Sequence, residues 1–219
     1  MIRVFRTDGG ARLACAVVLW VSSAVGAPID DAVADLAREW AAIKYQSPAN
    51  EQAAKFEALA AQAKKVTAES PGRAEPLVWE GIIVSSLAGA KGGIGALGLV
   101  KQAKALYEDA LKIDANVLDG SAYNSLGVLY YKVPGWPIGF GDKPKAQELL
   151  QKALAINPQG IDPNFFYGEY LIEIGKPGEA IPYLERAVNA RARPGRDVAD
   201  TGRRAEATEL LRKARGTAQ

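Results

Sequence analysis

The sequence contains no histidine, and its single cysteine, Cys15, lies close to the first residue. The absence of histidine excludes Ser-His-Asp and Cys-His catalytic arrangements, histidine-bearing zinc sites and haem ligation by histidine. Carboxylate, lysine and tyrosine chemistry remain, but no motif organises those residues into a site. We therefore predict that the protein is not an enzyme and that it holds no metal and no cofactor.

Residues 1–27 have the features of a secretory signal peptide. Three arginines precede the apolar run at 13–21, and mostly small residues follow it. This run is shorter than the roughly 20 residues that span a bilayer, which disfavours the alternative of an uncleaved anchor. We predict cleavage near Gly26 or Ala27, and a periplasmic or secreted mature protein.

Beyond this leader the chain has no excess charge of one sign. The leader contains three of the 27 Lys and Arg residues and one of the 25 Asp and Glu residues, so the mature chain has 24 of each. A chain without net charge gives no reason to expect nucleic acid or an anionic surface as a partner. The cysteine is lost with the leader, so packing alone must stabilise the mature protein.

Apolar residues recur at helical spacing through the rest of the chain. The segments 29–48 and 50–72 are predicted to form two antiparallel helices, with Asp30 and Asn50 at their starts. Further on, three segments align without a gap, each with alanine five residues after its first glycine: Gly98, Gly141 and Gly175. A second recurring element precedes each segment, so each repeat is predicted to be a helix pair.

This pattern resembles the tetratricopeptide repeat (TPR). The middle repeat supplies the large and small residues of that motif in order: Tyr123, Leu126, Gly127, Tyr130, Gly141, Ala146, Leu150, Ala153 and Pro158. Small residues let the two helices of a pair approach closely, and large ones fill the gaps between pairs. The resemblance implies an all-α, TPR-like helical-repeat solenoid. Its parts are a degenerate helix pair at 28–72, three repeats at 73–194 and a C-terminal capping helix at 195–219.

Two adjacent repeats are longer than the motif at the turn between their first and second helices. The last repeat spans this turn in four residues, whereas the middle one takes eleven and the first takes fourteen. Equivalent turns of a solenoid lie along one edge, so we predict expanded loops at 85–97 and 132–140, side by side. Residues 81–100 have the length of a membrane span, but six glycines and Lys91 favour a turn, and we expect no span in the mature chain.

In TPR proteins, positions 2, 5, 9 and 12 of the first helix commonly line the concave face that receives a partner. The corresponding residues are Glu75, Val78, Ile82, Ser85, Ser121, Asn124, Val128, Tyr131, Asp162, Phe165, Glu169 and Ile172. Five of these and two loop aromatics are the predicted partner- or ligand-binding residues: Asn124, Val128, Tyr131, Phe165, Glu169, Trp136 and Phe140. The alternative is structural: the apolar residues belong to the core, the loop aromatics close its end, and Glu169 pairs with Lys132 or another basic neighbour.

Together with the predicted signal peptide, the TPR resemblance implies an exported scaffold or adaptor that binds a polypeptide partner in the cell envelope. The concave face lacks the Lys and Arg set with which some TPR proteins hold a C-terminal carboxylate, so we expect another mode of recognition. Residues 77–164 are also similar to the T-component (TatT-like) family that accompanies TRAP-type solute transporters. That resemblance implies a small hydrophobic ligand cavity, docking of a periplasmic solute-binding protein and a homo-oligomer. The basic tail at 191–216 is predicted to be a solvated capping helix, with binding to an anionic surface as the alternative.

Overall fold

The computed structural model describes residues 26–217, with side chains from Asp30 onwards. The helices are α1 (Gly26–Gln46), α2 (Ala49–Ala68), α3 (Ala74–Lys91), α4 (Ala96–Ile113), α5 (Val117–Lys132), α6 (Lys143–Ile156), α7 (Ile161–Glu173), α8 (Pro177–Asn189) and α9 (Asp197–Thr217). No strand occurs within residues 26–217, and the predicted all-α class is confirmed for them. The predicted signal peptide lies outside the described residues except for its last two positions.

The helices pack as consecutive pairs. The most extensive contacts include those of α3 with α4, α5 with α6 and α7 with α8, and the pair of α1 and α2 precedes these three. The first helices of successive pairs also touch, α1 with α3, α3 with α5 and α5 with α7. Each pair thus stacks on the next, which is the helical-repeat arrangement that the sequence predicts.

A glycine in the first helix of each repeat lets the second helix approach closely. A side chain of the second helix lies over this glycine, so that an added Cβ would come within 2.5–2.8 Å of it. The three pairs are Gly81 with Tyr107, Gly127 with Leu150 and Gly168 with Leu184. Any larger residue at these glycines would force the two helices apart.

α6 begins where the sequence predicts, whereas α1 begins earlier than predicted. Asp142 caps α6, because its Oδ1 accepts a hydrogen bond of 2.9 Å from the backbone N–H of Lys145. Asp30, which the sequence places at the start of the first helix, lies inside α1, because α1 begins at Gly26. Its carboxylate pairs with Arg73 at 2.7 Å, so Asp30 ties α1 to the residue before α3.

The first expanded turn is mostly helical, contrary to the loop predicted at 85–97. α3 continues to Lys91, and only residues 92–95 separate it from α4. The extra turns stay helical because Leu87 and Ala88 are buried, with Leu87 in the apolar cluster that α1 helps to form. Among the helices of residues 26–217, none is both long and apolar enough to cross a membrane.

The last helix packs against the first. α9 contacts α7 and α8, as a capping helix should, and it also contacts α1. Gly202 lies directly against the ring of Tyr45, whose hydroxyl donates a hydrogen bond of 3.2 Å to Glu206. Lys44 lies 3.9 Å from the same carboxylate. Because α1 meets α9, the described helices surround a space instead of forming an open array.

One face of α9 is buried against its neighbours, as in a capping helix. Ala199 belongs to the apolar cluster of α1, while Ala207, Leu211 and Ala214 belong to that of α7 and α8. Two charged residues, Asp200 and Arg203, are buried on α9 as well. Charged groups at such positions need ionic partners, and these lie beside the cavity described below.

Candidate functional site

The space inside the array is a cavity of about 1310 Å³. Its walls come mainly from α1, α3, α5, α7 and α9, with some residues of α2 and α4, and its rim comes from the turn at 92–95 and the loop at 133–142. Apolar and aromatic side chains form much of the lining, among them Trp40, Trp79 and Phe165. A concave, mostly apolar space with a few polar groups is the usual form of a binding site.

Nine of the twelve residues predicted for the concave face line this cavity. They are Glu75, Ile82, Ser85, Ser121, Asn124, Val128, Asp162, Phe165 and Glu169. Val78 and Tyr131 are buried between neighbouring helix pairs instead, and Ile172 packs partly against the same core as Tyr131. The structural alternative is therefore correct for Val78, whereas Val128 and Phe165 line the cavity, and Phe165 is also buried in the apolar cluster that contains Tyr131. The buried Oδ1 of Asn124 has no hydrogen-bond partner among the described residues.

Glu169 is held in an ion pair at the cavity wall. Its carboxylate accepts a hydrogen bond from the Tyr131 hydroxyl and lies 3.2 Å from the Lys132 ammonium. Lys132 also lies 3.6 Å from Glu173, so the pairing with Lys132 that the sequence predicts is confirmed. Burial, and next the charge of Glu169, raise the pKa of Tyr131, which therefore stays a hydrogen-bond donor at neutral pH.

The two loop aromatics have different environments. Phe140 packs edge-on against Tyr130, with ring centroids 5.5 Å apart, and Lys104 lies 5.9 Å from its ring. Phe140 therefore closes the repeat core, as the structural alternative has it. Trp136, by contrast, is 90% exposed.

Two isoleucines of the expanded turns line the cavity rim, and Trp136 lies two residues before the second of them, Ile138. Ile94, in the turn at 92–95, is 89% exposed, and Ile138 is 64% exposed, although both line the mouth of the cavity. The two expanded turns thus border one opening, as their shared position in the repeat predicts. We call Ile94, Trp136 and Ile138 the loop rim.

A cluster of ion pairs joins α7 to α9 at the cavity wall. Arg203 donates to Asp162 at 3.0 Å and to Glu206 at 2.7 Å. Arg193 lies 2.6 Å from both Asp162 and Asp200. Burial of the Asp162 carboxylate opposes its ionisation, but the charges of Arg203 and Arg193 outweigh burial and hold its pKa below the usual value.

The repeat motif does not predict that Arg193, Arg196 and Arg203 line the cavity, as all three do. They precede or belong to α9, outside the repeat frame. The sequence pattern could have identified Arg203, because it falls on the same helical stripe as the alanines Ala199 and Ala207. A charged residue on such a stripe indicates a buried ionic partner. No pattern in the sequence marks Arg193 or Arg196.

The close contact of a first-helix glycine with the second helix recurs in three successive pairs, in the register that the repeat motif requires. The protein is TPR-like. No protein-family model matches the chain, and no curated protein matches it significantly.

Several solved structures are similar to this TPR-like protein. MamA is 21% identical, with 74% of this chain and 87% of MamA covered and a TM-score of 0.44. TTC0263, a thermophilic TPR protein of Thermus thermophilus, is 15% identical, with 71% and 92% covered and a TM-score of 0.40. A Podosopora anserina putative kinesin light chain with TPR-like repeats is 23% identical, with 86% and 95% covered and a TM-score of 0.37.

Proposed function

We propose that this TPR-like protein is an exported scaffold or adaptor that binds a polypeptide partner in the cell envelope. A TPR-like fold is typical of scaffolds for protein–protein interaction, and the leader-like composition of residues 1–27 supports export. We expect the protein to bind and not to catalyse. Its candidate carboxylate, Glu169, is already paired with Lys132 and Tyr131.

The loop rim is the observation that carries this proposal. Ile94 and Trp136 are the most exposed large apolar side chains of the described residues, and Ile138 ranks third. They come from two turns that contribute to the lining of the same cavity, Ile94 and Ile138 directly and Trp136 as a near neighbour of Ile138 in the sequence. Exposed apolar patches mark interaction sites, and tryptophan is the residue type most enriched among those that dominate interface energies.

A photo-crosslinking amino acid at position 138, which leaves Trp136 and Ile94 in place, tests this function. We expect it to capture one defined envelope protein, and Trp136→Ala with Ile94→Ala to lower recovery of that protein by at least about tenfold. Ile113→Ala is the matched control, because Ile113 is an exposed apolar residue at the other end of α4. Equal recovery with the loop-rim variant and the control would overturn the proposal.

A TRAP-transporter accessory function is the second candidate, and the cavity of about 1310 Å³ supports it. None of the similar structures reported above is named as such a protein. In this case the partner of the loop rim is a periplasmic solute-binding protein, and the chain forms a homo-oligomer. Native mass spectrometry tests for the homo-oligomer, since a protein that stays monomeric at all concentrations would contradict this function.

A further inference from the structure

Arg196 contributes a guanidinium to the cavity wall. It precedes α9, and its guanidinium lies 4.8 Å from the centre of the Trp79 ring. No carboxylate of residues 30–217 forms an ion pair with it, and its buried Nε has no hydrogen-bond partner among them. Burial, and next the charge of Arg193, lower the pKa of this guanidinium, which still remains protonated at neutral pH.

The neighbouring carboxylates are already engaged. Asp162 and Asp200 pair with Arg193, Asp162 also pairs with Arg203, and Glu206 pairs with Arg203 and Lys44. Lys44, Arg193 and Arg203 each pair with at least one of these three carboxylates, whereas Arg196 pairs with none of them.

The side chains around Arg196 are mostly apolar and aromatic. Trp79 lies beneath its guanidinium, and Trp40 packs edge-on against Trp79 at 6.1 Å. Beyond these rings the cavity wall continues with Ile82, Val128 and Phe165. A ligand that enters from the rim therefore meets apolar walls and one unpaired guanidinium.

We propose that the cavity binds an organic carboxylate with an apolar body, and that Arg196 is the residue that pairs with its carboxylate group. A guanidinium matches a carboxylate through two parallel hydrogen bonds, and pairing removes the free-energy cost of a partly buried lone cation. The apolar body lies against the tryptophans and aliphatic walls, which gain by losing contact with water. This inference goes beyond the loop rim, because it concerns the interior of the cavity.

Two sources can supply this chemistry: a free carboxylic acid, or the C-terminal residue of an extended polypeptide. Decanoate is the probe for the first source, and 1-decanol is its uncharged counterpart. A peptide that ends in Leu-Leu with a free carboxylate is the probe for the second source, with its C-terminal amide as the counterpart. Calorimetry of the purified protein measures all four, and the fluorescence of Trp40 and Trp79 gives a second readout.

We expect one of the two carboxylates to bind at least about tenfold more tightly than its uncharged counterpart, and that one identifies the source. Arg196→Met should remove this preference, whereas Arg196→Lys, which keeps the charge without the planar fork, should retain part of it. Arg191→Met is the matched control, because Arg191 is exposed and lies outside the cavity lining. Circular dichroism confirms that each variant is folded.

Three results would overturn the proposal: neither carboxylate binds, the uncharged counterparts bind as tightly, or Arg196→Met binds like Arg191→Met. The single variant Trp136→Ala, at a residue outside the cavity lining, should bind the carboxylate normally. A negative result for carboxylate binding therefore does not contradict the proposed polypeptide partner. A negative crosslinking result likewise does not contradict carboxylate binding in the cavity.

Discussion

Arg203 connects three helices through one buried guanidinium. It donates to Asp162 on α7 and to Glu206 on its own helix, and Glu206 in turn accepts from Tyr45 on α1. The guanidinium also lies 4.5 Å from the ring of Phe165, which adds a cation–π contact. A lysine could not make these contacts together, because its ammonium lacks the planar, forked geometry.

Asp162→Asn should lower stability at neutral pH by about 2 kcal/mol, since it removes the carboxylate that two arginines share. The pKa of Asp162 is lowered in the folded protein, so its contribution is present above the unfolded value of about 3.9 and is lost as pH falls through the folded value. The difference in Tm between wild type and variant should therefore shrink below about pH 4. Asp109→Asn is the control, because its pair with Lys112 is exposed. A Tm difference that stays constant from pH 7 to pH 2.5 would contradict this role.

Gly81→Ala should destabilise the protein by roughly 1–3 kcal/mol, because the new methyl group would meet the buried Tyr107 ring at 2.5 Å. Gly89→Ala, in the same helix, should instead stabilise it by roughly 0.5–1 kcal/mol, because nothing lies within 4 Å of the added carbon. Urea unfolding measures both free energies. Similar values for the two variants would show that α3 and α4 are not in close contact at Gly81.

At the scale of elements, the start of α6 follows from local sequence signals, whereas the end of α3 does not. Asp142 and Pro144 mark the start of α6, and the structure agrees because the cap depends only on neighbouring residues. The end of α3, by contrast, depends on a contact with another helix. Leu87 keeps it helical by packing with α1, so the glycines that follow form only a short turn.

Asp142→Ala should lower the free energy of unfolding by about 1 kcal/mol, because the N–H of Lys145 loses its acceptor. Asp142→Asn should retain most of the stability, since the amide oxygen accepts the same hydrogen bond. Thermal and urea unfolding measure the two variants side by side. If alanine and asparagine are equivalent at this position, Asp142 does not stabilise α6 by capping it.

At the scale of the whole molecule, the sequence predicts the repeats but does not predict the contact between α1 and α9 that closes the array. Glycines that recur at the same position of each repeat reveal the three helix pairs, because the close approach at Gly127 or Gly168 tolerates no side chain. The meeting of α1 and α9 depends on Tyr45 fitting against Gly202, and these residues belong to no repeat. The cavity and its arginines follow from this contact, so the repeat motif locates the concave face but not the groups that close it.

The contact between α1 and α9 is therefore the central claim, and a zero-length carbodiimide crosslink tests it most directly. Lys44 lies 3.9 Å from Glu206, and Lys91 lies 2.8 Å from Glu57 between α2 and α3 as an internal reference. We predict an amide bond between Lys44 and Glu206 in protein of monomer size, identified by peptide mass spectrometry and lost in Glu206→Gln. Formation of the Lys91–Glu57 link without any link between Lys44 and Glu206 would contradict the closed arrangement.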